Sequence, residues 1–137
     1  MASSAAPTAA DGTTKLVKLT FLIKKRDDIS LEEFHRYWRE NHRKLAVSTP
    51  IFREKVVRYT QYHSDGSVDL KKIGIGNPGY DGAAIVWARS LEDLIEVFNH
   101  EDYLKYLATD EPNFLKRDEI ITMFGWDELK LENGVEF

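Results

Sequence analysis

The sequence predicts an α+β fold of ferredoxin-like type: an antiparallel four-stranded sheet with both helices on one face. Three observations predict it. One segment alternates apolar and polar residues cleanly and three more read as short strands, and two segments carry apolar residues at helical spacing behind a serine cap. Their order is strand, helix, strand, strand, helix, strand, the split βαβ arrangement.

The first strand is expected over Lys15–Lys24, where Val17, Leu19, Phe21 and Ile23 share one face. Ser30 and Glu33 form a capping-box pattern, in which each side chain would satisfy a backbone N–H at a helix start. At about 100° per residue, Leu31, Phe34, Trp38 and Leu45 fall in one apolar stripe of that helix. His42 lies one step off the stripe beside His35, while Arg36, Arg39, Glu40 and Arg43 point away. The helix must end before Pro50, since proline disfavours helix at the residue before it.

A second strand is expected over Lys55–His63, with Val57, Tyr59, Gln61 and His63 on one face. Ser64-Asp65-Gly66 closes it with turn chemistry. Gly74-Ile-Gly76-Asn-Pro-Gly79 has the spacing of a dinucleotide-binding loop. That fingerprint needs a preceding strand and a helix opening within it, whereas here Pro78 interrupts it and a strand follows. It reads as a mobile loop. Ala83–Ala88 is the third strand, with Ile85 and Trp87 on one face and Ala84 and Val86 on the other. Ser90 and Asp93 cap a helix over Leu91–Asn99 with Leu94, Ile95 and Phe98 inward, and a second helical piece follows over His100–Leu107. Thr109–Phe114 is a turn or short helical link, and Glu119–Phe124 is the fourth strand. The outer sheet face is only partly polar, which predicts a homodimer packed face to face.

At 137 residues the chain suits one domain. Residues 1–14 read as a disordered leader, 15–126 as the α+β domain and 127–137 as a polar tail. The formal net charge of −4 argues against nucleic acid or an anionic membrane as partner. The one basic block, Lys24-Lys25-Arg26, reads as a solvated strand end. Cysteine is absent, so there is no disulfide framework or thiolate site. No apolar run approaches the ~20 residues of a membrane span. The leader lacks the features of a secretion signal, so a cytoplasmic protein is expected. The four histidines have no close ligand spacing, so no metal is expected, and no cofactor is expected either.

Several segments together resemble one family. Leu19–Lys25, Ser30-x-x-Glu33-Phe34, Tyr37-Trp38 and His42-x-x-Leu45 are similar to the opening half of the EthD domain. Tyr59-x-Gln61-x-His63, and Asp110-Glu111 with Phe114, are similar to its later parts. The resemblance runs from about Lys15 to Trp126, and Phe34-x-x-Tyr37-Trp38-x-x-x-His42 is its most specific part. It implies membership of the dimeric α+β barrel superfamily. That superfamily includes polyketide cyclases, cofactor-free monooxygenases, isomerases and haem-binding proteins. In size and layout the chain resembles fungal EthD-like decarboxylases acting on atrochrysone carboxylic acid. The resemblance therefore implies a cofactor-independent lyase with an aromatic polyketide acid as its small-molecule substrate. A cyclase, dehydratase or oxygenase, and a non-catalytic dimeric binding protein, are the alternatives.

The resemblance selects His42 over His35 as the catalytic histidine. An imidazole titrating near neutrality can move a proton at the carbon that carbon dioxide leaves; alternatively, His42 is a helix-edge histidine bonded to a backbone carbonyl. His63 shares strand parity with Tyr59, so both are candidates to face His42; alternatively, His63 ends an exposed strand. His100 stands where superfamily members often place a histidine, with Tyr103 where some cyclases carry a second one. His35 reads as a surface residue. Phe21, Tyr37, Trp38, Trp87 and Phe114 are candidates to line a flat pocket, or else plain core. The acid pairs Glu32-Glu33 and Glu101-Asp102 read as helix-start residues. Asp110-Glu111 is left open.

Overall fold

The computed structural model describes residues 15–76 and 79–137. The expected leader, and Asn77 and Pro78 of the glycine-rich loop, lie outside the described residues.

Strand β1 (Val17–Ile23) opens the domain and is followed by helix α1 (Leu31–Tyr37). The Ser30 hydroxyl accepts from the Glu33 N–H at 3.0 Å, as expected of the cap. The reciprocal half is replaced, because the Glu33 carboxylate turns outward to the Arg36 guanidinium. The helix then widens into a π-turn over Trp38–His42, where the Arg43 N–H reaches back to the Trp38 carbonyl. Helix α2 (Arg43–Ser48) follows.

The π-turn changes which residues face inward. An unbroken α-helix would continue the stripe from Phe34 and Trp38 to Leu45. The extra residue in the wide turn moves the phase on by one, so Ala46 is buried and Leu45 only half-buried. Pro50 ends one helix and opens another: it occupies the first turn of α3 (Pro50–Lys55), where its missing N–H is not needed. That helix was not expected, and it takes Lys55 out of β2 (Val56–His63).

The register of β2 shifts between Val56 and Arg58. This irregularity leaves Val57 exposed and packs Val56 against the core, correcting the inward placement expected for Val57. Tyr59, Gln61 and His63 keep the inward face. Strand β3 (Gly82–Ala88) and helix α4 (Leu91–Asn99) come next, with Ser90 capping α4 through the Asp93 N–H. Leu94 and Val97 are buried, while Ile95, expected inside, is exposed. A second π-helical stretch (Tyr103–Ala108), short 3₁₀ turns and β4 (Ile121–Trp126) complete the domain. The expected polar tail includes a hairpin, β5 (Leu131–Glu132) and β6 (Val135–Glu136). Asn133 and Gly134, both at positive φ, make its turn, as an Asn-Gly pair favours.

The sheet order is β2-β3-β1-β4, antiparallel throughout. This is the expected ferredoxin-like α+β fold. Two rows of the outer face run across all four strands. One is Thr60, Ile85, Thr20 and Met123; the other is Tyr62, Ala83, Leu22 and Ile121. Tyr62, Met123 and Ile121 are 65%, 73% and 53% exposed, so that face carries uncovered apolar surface. Gly82 is buried because Trp38 lies on it: a Cβ there would sit 2.7 Å from the indole and 2.7 Å from the Tyr62 carbonyl oxygen.

Among the described residues, no helix is long and apolar enough to cross a membrane.

Candidate active site

A cavity of about 800 Å³ opens between the inner sheet face and the helices. Its floor carries Phe21, Ala84 and Val86, and its walls include Trp38, Phe98 and Phe114. His42, Tyr59, Tyr103 and Glu111 are the polar groups that reach it from buried or half-buried positions.

His42 stands on the π-turn, whose altered phase carries it inward from the stripe's edge. Its Nδ1 lies 2.8 Å from Asp110 Oδ2, and the two side chains are only 13% and 10% exposed. Its ring packs on Phe114, centroids 4.9 Å apart. Asp110 follows the second π-helical stretch and accepts three side-chain hydrogen bonds. Besides His42, the Tyr37 hydroxyl donates at 2.6 Å and the Asn113 amide at 3.0 Å, both to Oδ1.

The electrostatics follow from these contacts. Burial alone would raise the Asp110 pKa, but the donors Tyr37, His42 and Asn113 together outweigh it and hold the carboxyl below its usual value. Burial lowers the His42 pKa more than Asp110 raises it. At neutral pH the pair is therefore a neutral imidazole donating from Nδ1 to a carboxylate. That tautomer leaves a lone pair on Nε2, which has no hydrogen-bond partner among the described residues.

Glu111, next along the chain, is the second buried carboxyl. Burial pushes its pKa up to about 7, against the opposing pull of Arg117 (3.6 Å) and the Tyr103 hydroxyl (3.5 Å). Burial, then the Glu111 charge, raises Tyr103 well above the ordinary phenol value.

The candidate residues divide three ways. His42, Phe21, Trp38, Tyr59 and Phe114 border the cavity. Tyr37 stands behind Asp110 as its hydrogen-bond donor and packs its ring at a tilt against Phe114, centroids 5.3 Å apart. The other three are elsewhere. Trp87 lies on the outer sheet face, where its indole donates to Asp127 and Lys18 and Arg58 sit against its ring; its odd-numbered parity in β3 puts it opposite Ala84 and Val86. His63 is inward but behind Trp38, its ring 4.6 Å from the indole and bonded to His35, so it faces His35 rather than His42. His35 is accordingly a half-buried partner and not a surface residue. His100 turns its Nδ1 to the Asp102 N–H at 3.0 Å, ordering the next helical turn away from the cavity.

Asn113 and Arg117 carry no functional mark in the sequence, where Asp110 and Glu111 stand only as an acidic pair. The signal for the pair is its place four and three residues ahead of the aromatic Phe114. Among the described residues, no group of three His, Asp or Glu side chains is placed to hold a metal ion.

The fold and site together define a ferredoxin-like α+β protein with a histidine–carboxylate pair in an aromatic cavity. The chain matches the EthD domain over residues 26–118 and belongs to that family. The matched span begins after β1 and ends before β4, a narrower stretch than the resemblance from Lys15 to Trp126. No curated protein matches the chain. Among solved structures, an EthD family protein from Bacillus halodurans C-125 is similar at TM-score 0.57 and 16% identity, covering 83% of this chain and 99% of its own. A dimeric protein of unknown function and ferredoxin-like fold from Bacteroides fragilis gives 0.56 and 15%, covering 82% and 96%. The hydroxynitrile lyase of Passiflora edulis gives 0.54 and 11%, covering 86% and 98%. At these identities the likeness is one of fold.

Proposed function

We propose that this protein is a cofactor-independent carbon–carbon lyase, a decarboxylase of an aromatic polyketide carboxylic acid in anthraquinone-type secondary metabolism. The observation that carries this reading is the His42–Asp110 pair, with Nε2 left unbonded at the wall of an aromatic cavity. A cavity of about 800 Å³ is within the size range of small-molecule sites and suits a fused-ring ligand.

In the proposed reaction His42 Nε2 takes the proton of the substrate's carboxylic acid, and Asp110 stabilises the imidazolium. The carboxylate leaves as CO₂ while its bonding pair moves into the conjugated carbonyl as an enolate. The imidazolium then returns the same proton to the carbon that lost CO₂. The substrate's own delocalisation holds the charge.

A second reading is favoured by Glu111. A carboxyl that titrates near 7 and a neutral imidazole lining the same cavity are an acid–base set of the kind a dehydrating cyclase uses. Product mass separates the two: loss of CO₂ for the first, loss of water for the second.

The exposed rows of the outer sheet face support a homodimer packed there, and we place the protein in the cytoplasm. The test of function is to give purified protein atrochrysone carboxylic acid and follow CO₂ loss by mass spectrometry. The wild type is expected to decarboxylate it, and His42→Ala to lose most of that activity. Equal rates in the two proteins would refute the role of His42.

A further inference from the structure

One polar chain in the molecule takes no part in the reaction above. It starts at Tyr59 on the cavity wall and ends at His35 on α1. Gln61 Nε2 lies 3.0 Å from the Trp38 carbonyl oxygen and 3.1 Å from the Tyr59 hydroxyl oxygen. Gln61 Oε1 lies 2.9 Å from His63 Nε2, and His63 Nδ1 lies 2.6 Å from His35 Nδ1.

These contacts allow one assignment of hydrogens. A carbonyl oxygen cannot donate, so the Gln61 atom facing Trp38 has to be the amide nitrogen, and its two hydrogens go to Trp38 and Tyr59. Gln61 Oε1 then accepts, so His63 carries its proton on Nε2. The neutral His63 ring therefore accepts at Nδ1, and His35 donates from its own Nδ1. His35 Nε2 is left as a buried lone pair, and it is the buried side-chain atom without a hydrogen-bond partner among the described residues. Burial first, then the facing His35 ring and Arg39, keep His63 neutral down to about pH 4. Burial lowers the His35 pKa, the Ser64 backbone carbonyl opposes it, and Arg39 and Asp81 face the ring with opposite effects.

The other end of the chain has a chemical consequence. Because Tyr59 Oη accepts from Gln61, its own O–H points elsewhere, and Tyr59 borders the cavity. We infer that Tyr59 is the hydrogen-bond donor to a phenolic or enolate oxygen of the bound ligand, and that His63 is a positioning residue that aims this hydroxyl through Gln61. This rests on the proposed function only for the ligand class. Such a donor would stabilise an oxygen on which negative charge collects as a carbon–carbon bond breaks.

The test uses 1,8-dihydroxyanthraquinone as probe, titrated at pH 7 by absorbance. Tyr59→Phe is expected to bind it roughly tenfold more weakly, the effect of one hydrogen bond. His63→Leu should lose several-fold, and the double variant should bind no worse than Tyr59→Phe alone, since both act on one hydroxyl. His63→Gln, which restores an N–H toward Gln61, should recover most of the affinity. Nitrogen-15 NMR should find His63 protonated on Nε2 and His35 on Nδ1. The inference is overturned if the wild type does not bind the probe, if Tyr59→Phe binds it unchanged, if the two losses multiply, or if His63 carries the opposite tautomer. None of these readouts needs turnover. A protein that binds through Tyr59 yet releases no CO₂ therefore sinks the proposed function and leaves this inference standing.

Discussion

Replacing Asp110 by Asn tests the site at its centre. The substituted side chain keeps an oxygen where the Tyr37 hydroxyl and the Asn113 amide donate, at 2.6 and 3.0 Å. Facing His42 Nδ1, however, it presents an amide N–H where a carboxylate oxygen stood at 2.8 Å. Two donors cannot share that contact, so the imidazole moves its proton to Nε2 and loses the lone pair that faces the cavity. The charge that stabilises the imidazolium disappears as well. Hydrogen bonds to charged groups are worth about 1.5–3 kcal/mol, roughly ten- to a hundredfold in rate. Loss of the correct tautomer extends the expected fall in kcat to roughly 10²–10⁴-fold, with KM little changed. The assay is CO₂ release from atrochrysone carboxylic acid, with the His42 tautomer read by nitrogen-15 NMR and folding by thermal denaturation. A folded Asp110→Asn variant with its proton on Nε2 and kcat near wild type would refute the reasoning.

Three further predictions follow from the same geometry. Glu111→Gln is expected to raise stability at pH 8 by roughly 1–3 kcal/mol and to change little at pH 4.5. The folded-state pKa of about 7 is raised above the unfolded value, so the wild type loses stability as pH rises through it; thermal melts at the two pH values check this. In the Glu111→Gln background, where that opposing titration is absent, the melting temperature should fall between pH 6.5 and 4, because the unfolded chain takes up protons that burial denies to His35, His42 and His63 in the folded state. A His63→Gln variant should show a shallower fall over the same range. Gly82→Ala should cost about 1–3 kcal/mol, since its Cβ would press on the Trp38 ring and the Tyr62 carbonyl; an equally stable variant would show that Trp38 gives way freely.

The strands were legible because their alternation is local: Val17, Leu19, Phe21 and Ile23 declare one face without help from the rest of the chain. The capped helix starts at Ser30 and Ser90 were legible for the same reason. The misplaced residues are those whose position depends on an irregularity. Val57 turned outward at a register shift, and Leu45 was displaced by a wide helical turn; neither leaves a mark in the period of apolar residues. In the site, His42 and the aromatic wall could be read from the helix and the family resemblance. The pairing of Asp110 with His42 could not, because 68 residues separate the two and only the packed fold brings them together. Trp87 was an error of another kind. Its strand parity sets it with Ile85 on the face away from the cavity, which Ala84 and Val86 line.

The wide turn at Trp38–His42 has a consequence for comparing this helix with others. Residues before it and residues after it keep step with two different straight helices, offset by one position. A gapless superposition on an unbroken helix can match Phe34 and Trp38, or Ala46, but not all three. The single-residue gap belongs inside the turn, within a position or two of His42, and a comparison that places it elsewhere will pair the histidine with the wrong neighbour.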